Sequence, residues 1–494
     1  MTTNAPLRTV GLLGGGVIGG GWAARFALSG IDVKLYDVDP AAQSRMNAIM
    51  ANARRAYSRL TLAPLPAEGT IAFASSVEDA VTGVDFVQES LPERLECKRK
   101  VLARASRAAA PGTVFGSSTS GLLPTAIQRD MVNPGRFVVG HPFNPVYLMP
   151  LVEICGGEQT SQATKDRARE VYTYIGMQPL TLSKEIDGFI ADRLMEALWR
   201  EALWLVNDGV ATAEEIDDAM RFGPGLRWSF MGTFLIHRLA GGAPGMRHVM
   251  AQLGPALKWP WTKFMNVPEL TDELLDTICA QSDAQAGTAT IRELEALRDD
   301  CLVAVMQGLR GHDYGAGRTL ANFEKALFGR GARAGLRTDG QIVAMERVIP
   351  ADWIDYNGHT NDSRYSQLSS EASDCFFRSI GFTDAYLASG RTFYTVESHI
   401  RFLDQTHQGD KVKVMVQVAS YDDKRIHLWT EILRSDGVVA ATGEHLFLHV
   451  DTSSGKSSPM DAEMLGKLRP IGDAHAKLPR PVGIGRRVGE KPAG

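Results

Sequence analysis

The chain has 494 residues, a formal net charge of −4, 44% hydrophobic and 22% charged residues, values that exclude a disordered or fibrous class and leave chain for roughly two to four domains. So mild an acidity offers no concentrated basic face, which excludes nucleic acid and anionic membrane surfaces as expected partners. Cys97, Cys155, Cys279, Cys301 and Cys375 are odd in number and lack C-x-x-C spacing, so no disulfide framework and no metal site is expected, and a reducing cytoplasm is.

The opening "MTTNAPLRTVGLLGGG" has no basic segment followed by a long apolar run. No later run reaches about 18 uninterrupted apolar residues, so a protein neither exported nor membrane-spanning is expected. From Thr9, "TVGLLGGGVIGGGWAARFALSGIDVKLYDVDP" reads as strand, glycine cluster, helix and second strand. Gly14, Gly16 and Gly19 fit G-x-G-x-x-G: the first allows the tight turn, the second lets backbone approach a pyrophosphate, and the third lets helix pack on strand. A lone match is weak, but Asp37 closes the second strand about 20 residues on, as the fingerprint requires. Asp37 would accept ribose hydroxyls and repel a 2′-phosphate, so NAD is the expected cofactor. Asp39 reads as a turn or cap residue before Pro40.

"VDFVQESLPE" and "GTVFGSSTSG" read as further buried strands, whose C-terminal ends carry Glu89, Ser117, Thr119 and Ser120. "FVVGHPFNPVYLMPLVEIC" then places His141 after one apolar strand and Glu153 inside the next. Oxidation of an alcohol needs a base for the hydroxyl proton, and a histidine oriented by a carboxylate suits that near neutral pH. An arbitrary pair of this kind is more often a hydrogen-bonded core histidine and a surface acid. Here "SSTS", "HPFNP", "LVEI" and "DGFIADRL" follow in the order and approximate spacing of the 3-hydroxyacyl-CoA dehydrogenase family, which the first 320 or so residues resemble. The resemblance implies His141 as catalytic base and Glu153 as its partner. It implies Ser120 and Asn144 as holders of the substrate oxygen, with Glu89 and Lys98 near the nicotinamide. Pro142, Asp187 and Asp192 depart from the family pattern, the last replacing an asparagine near the pocket.

"GFIADRLMEALWREALWLVNDG" shows helical spacing, and Thr212 to Glu215 has a capping-box pattern. This region carries Trp199, Trp204, Trp228, Trp259 and Trp261, each more often a core residue than a ligand contact. "FGPGLRWSFMGTF" is similar to the carnitine-oxidising branch of the family, which implies a substrate with a trimethylammonium head and a carboxylate. On that resemblance Trp228, Phe230, Tyr147 and Trp199 are candidate cation-π contacts, Arg227 the carboxylate partner, and Asp192 a group favouring the cation.

"RGARAGLRTDG" loses periodicity, and residues 322–340 read as a linker. Beyond it "FYTVESHIRFL", "KVKVMVQV" and "HLWTEILRSDGVVAATGEHLFLHV" read as strands, the last with an Asp-Gly turn. Tyr365, Leu368, Ala372, Phe376 and Ile380 fall on one face of the single interrupting helix. With "IDYNGHTNDSRYSQLSSEAS" before and on that helix, residues 341–455 resemble the 4-hydroxybenzoyl-CoA type of hotdog thioesterase. The resemblance implies Asp355 as the carboxylate of thioester hydrolysis and backbone amides at Asn361 to Arg364 as oxyanion donors. It implies His359 and Asn361 as orienting groups, and Glu371 as the alternative carboxylate. Asp355 and Asn361 also suit a plain turn and helix cap. From residue 456 the chain reads as a flexible tail.

The expected fold class is an α/β Rossmann domain (1–185) plus an all-α substrate and dimerisation domain (186–321), followed by an α+β hotdog domain. The expected protein is a homodimeric, bifunctional enzyme acting on small molecules, carnitine and an acyl-CoA thioester. Two alternatives stand beside it: a 3-hydroxyacyl-CoA dehydrogenase with a fused thioesterase, and a dehydrogenase whose hotdog part only dimerises.

Overall fold

A computed structural model describes residues 7–61, 63, 65–240, 248, 251, 262, 269, 271–331, 340–349, 353–488 and 490. Trp259 and Trp261 lie outside the described residues. The chain divides into two compact units, Met1–Ala56 with Ala67–Phe323, and Tyr57–Pro66 with Glu324–Gly494. Among the described residues no helix is long and apolar enough to cross a membrane.

The first unit is built on eight strands: β1 (Thr9–Leu13), β2 (Asp32–Tyr36), β3 (Ile71–Phe73), β4 (Phe86–Glu89), β5 (Val114–Ser117), β6 (Phe137–Pro142), β7 (Leu151–Cys155) and β8 (Gln178–Thr181). Their order in the sheet is β3-β2-β1-β4-β5-β6-β7-β8. Neighbours from β3 through β6 are parallel, and β7 runs antiparallel to β6. Every residue of β4, β5 and β6 is buried, as a sheet covered on both faces requires. Leu13, Val87, Phe115, Phe137 and Val139 belong to one core cluster. Strand order reverses between β1 and β4, and the crevice outside their C-terminal ends is where such sheets take ligands.

Helix α1 (Val17–Leu28) follows β1 and carries the buried Arg25. Its guanidinium donates to the carbonyls of Val146, Met149, Ile175 and Gly176, which fixes the chain that leaves His141. Helix α2 (Ala191–Asn207) opens the helical part, and the expected Thr212 and Glu215 capping box forms with both of its bonds.

The segment expected as a linker begins as structure. The helix Gly315–Gly331 covers its first part, because Leu320, Phe323 and Leu327 recur at helical spacing and are buried.

In the second unit β9 (Ile342–Val348), β10 (Arg391–Phe402), β11 (Lys411–Tyr421), β12 (Arg425–Arg434) and β13 (Val439–Asp451) form an antiparallel sheet in the order β10-β13-β12-β11-β9. The Asp-Gly turn falls between β12 and β13, with Gly437 at φ 84°, a left-handed conformation that glycine adopts without strain. The helix Asp362–Ser379 packs on this sheet, and Tyr365, Leu368, Ala372, Phe376 and Ile380 are all buried. Each large apolar side chain on that face contributes about 1.5–3 kcal/mol by burial.

The expected tail is also partly ordered. After the short β14 (Lys456–Ser457), a helix spans Ala462–His475, capped by Asp461, whose side chain accepts the Met464 amide. Met464, Leu468 and Ile471 enter the same core as the sheet and helix.

Candidate active sites

The glycine turn after β1 separates structural glycines from one that leaves room. A Cβ on Gly14 would lie 2.5 Å from the Ser90 carbonyl oxygen, and one on Gly19 would lie 1.9 Å from that of Gly14. A Cβ on Gly16 would meet nothing within 4 Å. Packing therefore demands the first and third glycines, while the second borders open space where a pyrophosphate can approach backbone. Asp37 Oδ2 accepts the Gly15 amide at 2.5 Å and its Oδ1 accepts the Asp39 amide at 2.7 Å. Asp37 is thus held at the rim of the turn, and the residues present fit a dinucleotide. Asp39 caps the Ala41 amide at 2.9 Å, the turn role expected of it.

His141 and Glu153 are register partners on β6 and β7, with His141 Nδ1 3.0 Å from Glu153 Oε2. Glu153 is fully buried, and its Oε1 accepts the Ile190 and Ala191 amides at 3.0 Å each. The start of α2 therefore stabilises the carboxylate that orients the imidazole. On the other ring nitrogen, His141 Nε2 lies 3.6 Å from Asp192 Oδ2. Phe143 meets the imidazole edge-on at 4.7 Å between centroids, and Phe189 lies at 5.6 Å. Sequence reasoning missed both rings; Phe143 sits inside the quoted "HPFNP".

Glu89 and Lys98 form a buried ion pair at 2.8 Å. Glu89 also accepts the Ser117 hydroxyl at 2.5 Å and the Leu91 amide at 2.5 Å. These bonds make the pair a floor beneath the loops. The acid at the rim is Glu93, which reasoning from sequence passed over. It accepts the Thr119 hydroxyl, the Ser120 amide at 3.1 Å and the Gly121 amide at 3.2 Å, and pairs with Lys98 at 3.2 Å. Burial pushes its pKa up, but the Thr119 hydroxyl and the Lys98 charge more than offset this and hold it below the usual carboxylate range. Its place one loop after β4, at the C-terminal strand ends, was the available signal.

Tyr147 departs from expectation. It is buried, and its hydroxyl donates to Asp299 at 2.7 Å. Burial and the Asp299 carboxylate both push the phenol pKa up, so the ring is a packing and anchoring element and not an open cation-π face. Trp199, Trp228, Phe230 and Arg227 are exposed. Asn144 and Ser120 are exposed too, in the loops after β6 and β5.

In the second unit the loop before the hotdog helix is tight. Ile354 bridges Thr360, the Asp355 amide donates to the His359 carbonyl at 2.9 Å, and Gly358 has φ 79°. Asp355 Oδ1 accepts the Asn357 amide at 2.8 Å. Asn361 caps the helix through the Ser363 amide at 3.0 Å. The expected set of oxyanion donors is reduced by this cap and by backbone carbonyls of Trp353 and Asn361. The amides of Asn361, Ser363 and Arg364 are already bonded within the chain, which leaves the Asp362 amide as the one of the four without a partner among the described residues.

Glu371 is more heavily engaged than Asp355. It accepts Arg347 at 2.9 Å and Gln367 at 2.8 Å. Arg347 and Arg364 also cover Trp353, at 4.8 and 5.5 Å from the ring centroid. His359 meets His407 edge-on at 5.3 Å.

Residues 9–186 match the family model for the 3-hydroxyacyl-CoA dehydrogenase NAD binding domain, residues 188–276 that for the C-terminal domain of the same family, and residues 349–468 the thioesterase-like superfamily. Across nearly the full length the chain is similar to an L-carnitine dehydrogenase/betainyl-CoA thioesterase of Rhizobium meliloti (strain 1021), at 50% identity over 97% of this chain and 98% of the relative. This chain belongs to that bifunctional family. A relative from Ruegeria pomeroyi with the same two-part name is 46% identical over 99% of this chain and all (100%) of its own. An L-carnitine dehydrogenase of Mesorhizobium japonicum is 54% identical over 64% of this chain and 88% of its own. Among solved structures, 5-formyl-3-hydroxy-2-methylpyridine 4-carboxylic acid 5-dehydrogenase, titled an NAD+-dependent dismutase, superposes with a TM-score of 0.52 at 29% identity, covering 62% of this chain and 99% of that one. The Rossmann, helical and hotdog parts and the NAD cofactor expected from sequence all stand.

Proposed function

We propose that this chain oxidises L-carnitine to 3-dehydrocarnitine with NAD in its first unit and hydrolyses betainyl-CoA to betaine and CoA in its second. The observation that supports the first half most is the His141 and Glu153 pair, with Nε2 turned away from Glu153 and toward the side where Asp192 stands. His141 Nε2 takes the proton of the substrate hydroxyl, and Glu153 stabilises the imidazolium that results. Bound NAD would supply the hydride acceptor for the carbon bearing that hydroxyl. Ser120 and Asn144 hold the substrate oxygen, Arg227 the carboxylate, and Trp228, Phe230 and Trp199 the trimethylammonium face. Asp37 holds the adenosine ribose.

In the second unit Asp355 takes the proton of the attacking water as the new C–O bond forms. The C–S bond then breaks and the proton leaves with the CoA thiol. The Asp362 amide and His359 orient the thioester carbonyl.

The chain acts as a homodimer in the cytoplasm. Support for the first comes from exposed Leu194, Met195 and Leu198 on α2, an apolar surface that a second copy would cover. Five free cysteines suit a reducing compartment.

The test is a panel of L-carnitine, 3-hydroxybutyryl-CoA and L-gulonate with NAD, read as NADH formation. L-carnitine is expected to be the preferred substrate. NADH formed with 3-hydroxybutyryl-CoA and none with L-carnitine overturns the reading.

A further inference from the structure

Asp192 occupies an unusual position for a carboxylate. It lies in the first turn of α2, its side chain is 15% exposed, and among the described residues its ion-pair neighbour of opposite sign is His141, 3.6 Å away. Burial pushes the Asp192 pKa up, and Glu153, Glu196 and Glu93 push it the same way, opposed by His141. Lys98 is taken up by Glu89 and Glu93. Among the described residues, the face of His141 that must receive substrate is therefore electronegative, with no Lys or Arg paired to Asp192.

A largely buried charge without a counter-charge is costly. A ligand that brings a cation to this place removes that cost, and one that brings an anion adds to it. In the proposed substrate the quaternary nitrogen is only two bonds from the carbinol carbon. Seating the hydroxyl on His141 Nε2 therefore brings the ammonium beside Asp192.

We propose that Asp192 is the counter-charge for the quaternary ammonium and the residue that selects a cationic 3-hydroxy acid over uncharged or anionic ones. This rests on the carnitine reading and assigns the selectivity of that site to one carboxylate. Exposed aromatic faces favour a cation only weakly, whereas a largely buried carboxylate distinguishes charge strongly.

The experiment compares the full-length wild-type chain with Asp192→Asn, which keeps size and shape. Each is given NAD and either L-carnitine or its carbon isostere 3-hydroxy-5,5-dimethylhexanoate, in which a quaternary carbon replaces the nitrogen. In Asp192→Asn the KM for L-carnitine is expected to rise about tenfold or more with kcat little changed, while kcat/KM for the isostere is unchanged or higher. Equal losses for both substrates would assign Asp192 to holding His141 and overturn the proposal, as would an unchanged KM for L-carnitine. Calorimetric binding of both compounds to both chains separates this from the reaction itself. A wild-type chain that binds L-carnitine in preference to the isostere, lost in Asp192→Asn, supports Asp192 even where NAD is not reduced; that second result counts against the oxidation alone. A folded Asp192→Glu chain that restores the preference supports the charge, and one that does not, with wild-type stability, counts against it.

Discussion

His141 and Glu153 stand opposite one another on adjacent antiparallel strands, with Nδ1 and Oε2 3.0 Å apart. The backbone sets this pairing, so the catalytic tautomer is held by the sheet. Replacing Glu153 with Gln keeps an acceptor for the Ile190 and Ala191 amides but removes the charge that stabilises the imidazolium. Its kcat for alcohol oxidation is expected to fall about 10²–10⁴-fold with the fold intact. Steady-state NADH formation and circular dichroism on the same preparation check this.

Gly19 and Gly16 of the nucleotide turn are expected to respond differently to alanine. Gly19→Ala forces a methyl against the Gly14 carbonyl oxygen, 1.9 Å away, and should lower thermal stability and NAD binding together. Gly16→Ala meets nothing within 4 Å, so it should fold normally and lose NAD affinity alone. Differential scanning fluorimetry with and without NAD separates the two.

Asp355 and Glu371 should also part company. Glu371 sits in a largely buried pair with Arg347, at 2.9 Å, and Glu371→Gln is expected to cost about 1–3 kcal/mol of stability while keeping most thioester hydrolysis. Asp355→Asn should leave stability nearly unchanged and reduce hydrolysis at least about 100-fold. Thiol release from betainyl-CoA and urea unfolding of each variant provide the comparison.

His445 gives the second unit a defined acid sensitivity. Its Nδ1 meets the Ser398 hydroxyl at 2.9 Å, while its Nε2 is buried without a partner. Burial, opposed by Glu444, pushes its pKa down from 6.5 to about 4. Because the folded value lies below the unfolded one, its contribution is fully present above pH 6.5 and is lost as pH falls toward 4, amounting to about 3 kcal/mol. Hydrogen exchange of the β12 and β13 amides, corrected for intrinsic rates, should show this loss in the wild type and a shallower one in His445→Gln.

Local pattern carried much of this in sequence. The spacing of Gly14, Gly16 and Gly19, the apolar face from Tyr365 to Ile380, and the order of the motifs around His141 are all short-range features that fold as written. Tyr147 was misread because its partner, Asp299, lies 152 residues away, and no local rule reports such a bond. The engagement of Glu371 by Arg347 was hidden for the same reason. The C-terminal helix was obscured by Pro470 inside it, a residue that argues against a helix interior, although Met464, Leu468 and Ile471 keep helical spacing. The oxyanion amides are a different case, since the Asn361 cap takes the Ser363 amide while the carbonyls of Trp353 and Asn361 take the Asn361 and Arg364 amides.

The claim of two independent chemistries on one chain is tested most directly by assaying both activities in a single preparation of Asp355→Asn. NADH formation from L-carnitine at the wild-type rate, with thiol release from betainyl-CoA reduced at least about 100-fold, is the predicted result. Thiol release at the wild-type rate would contradict it.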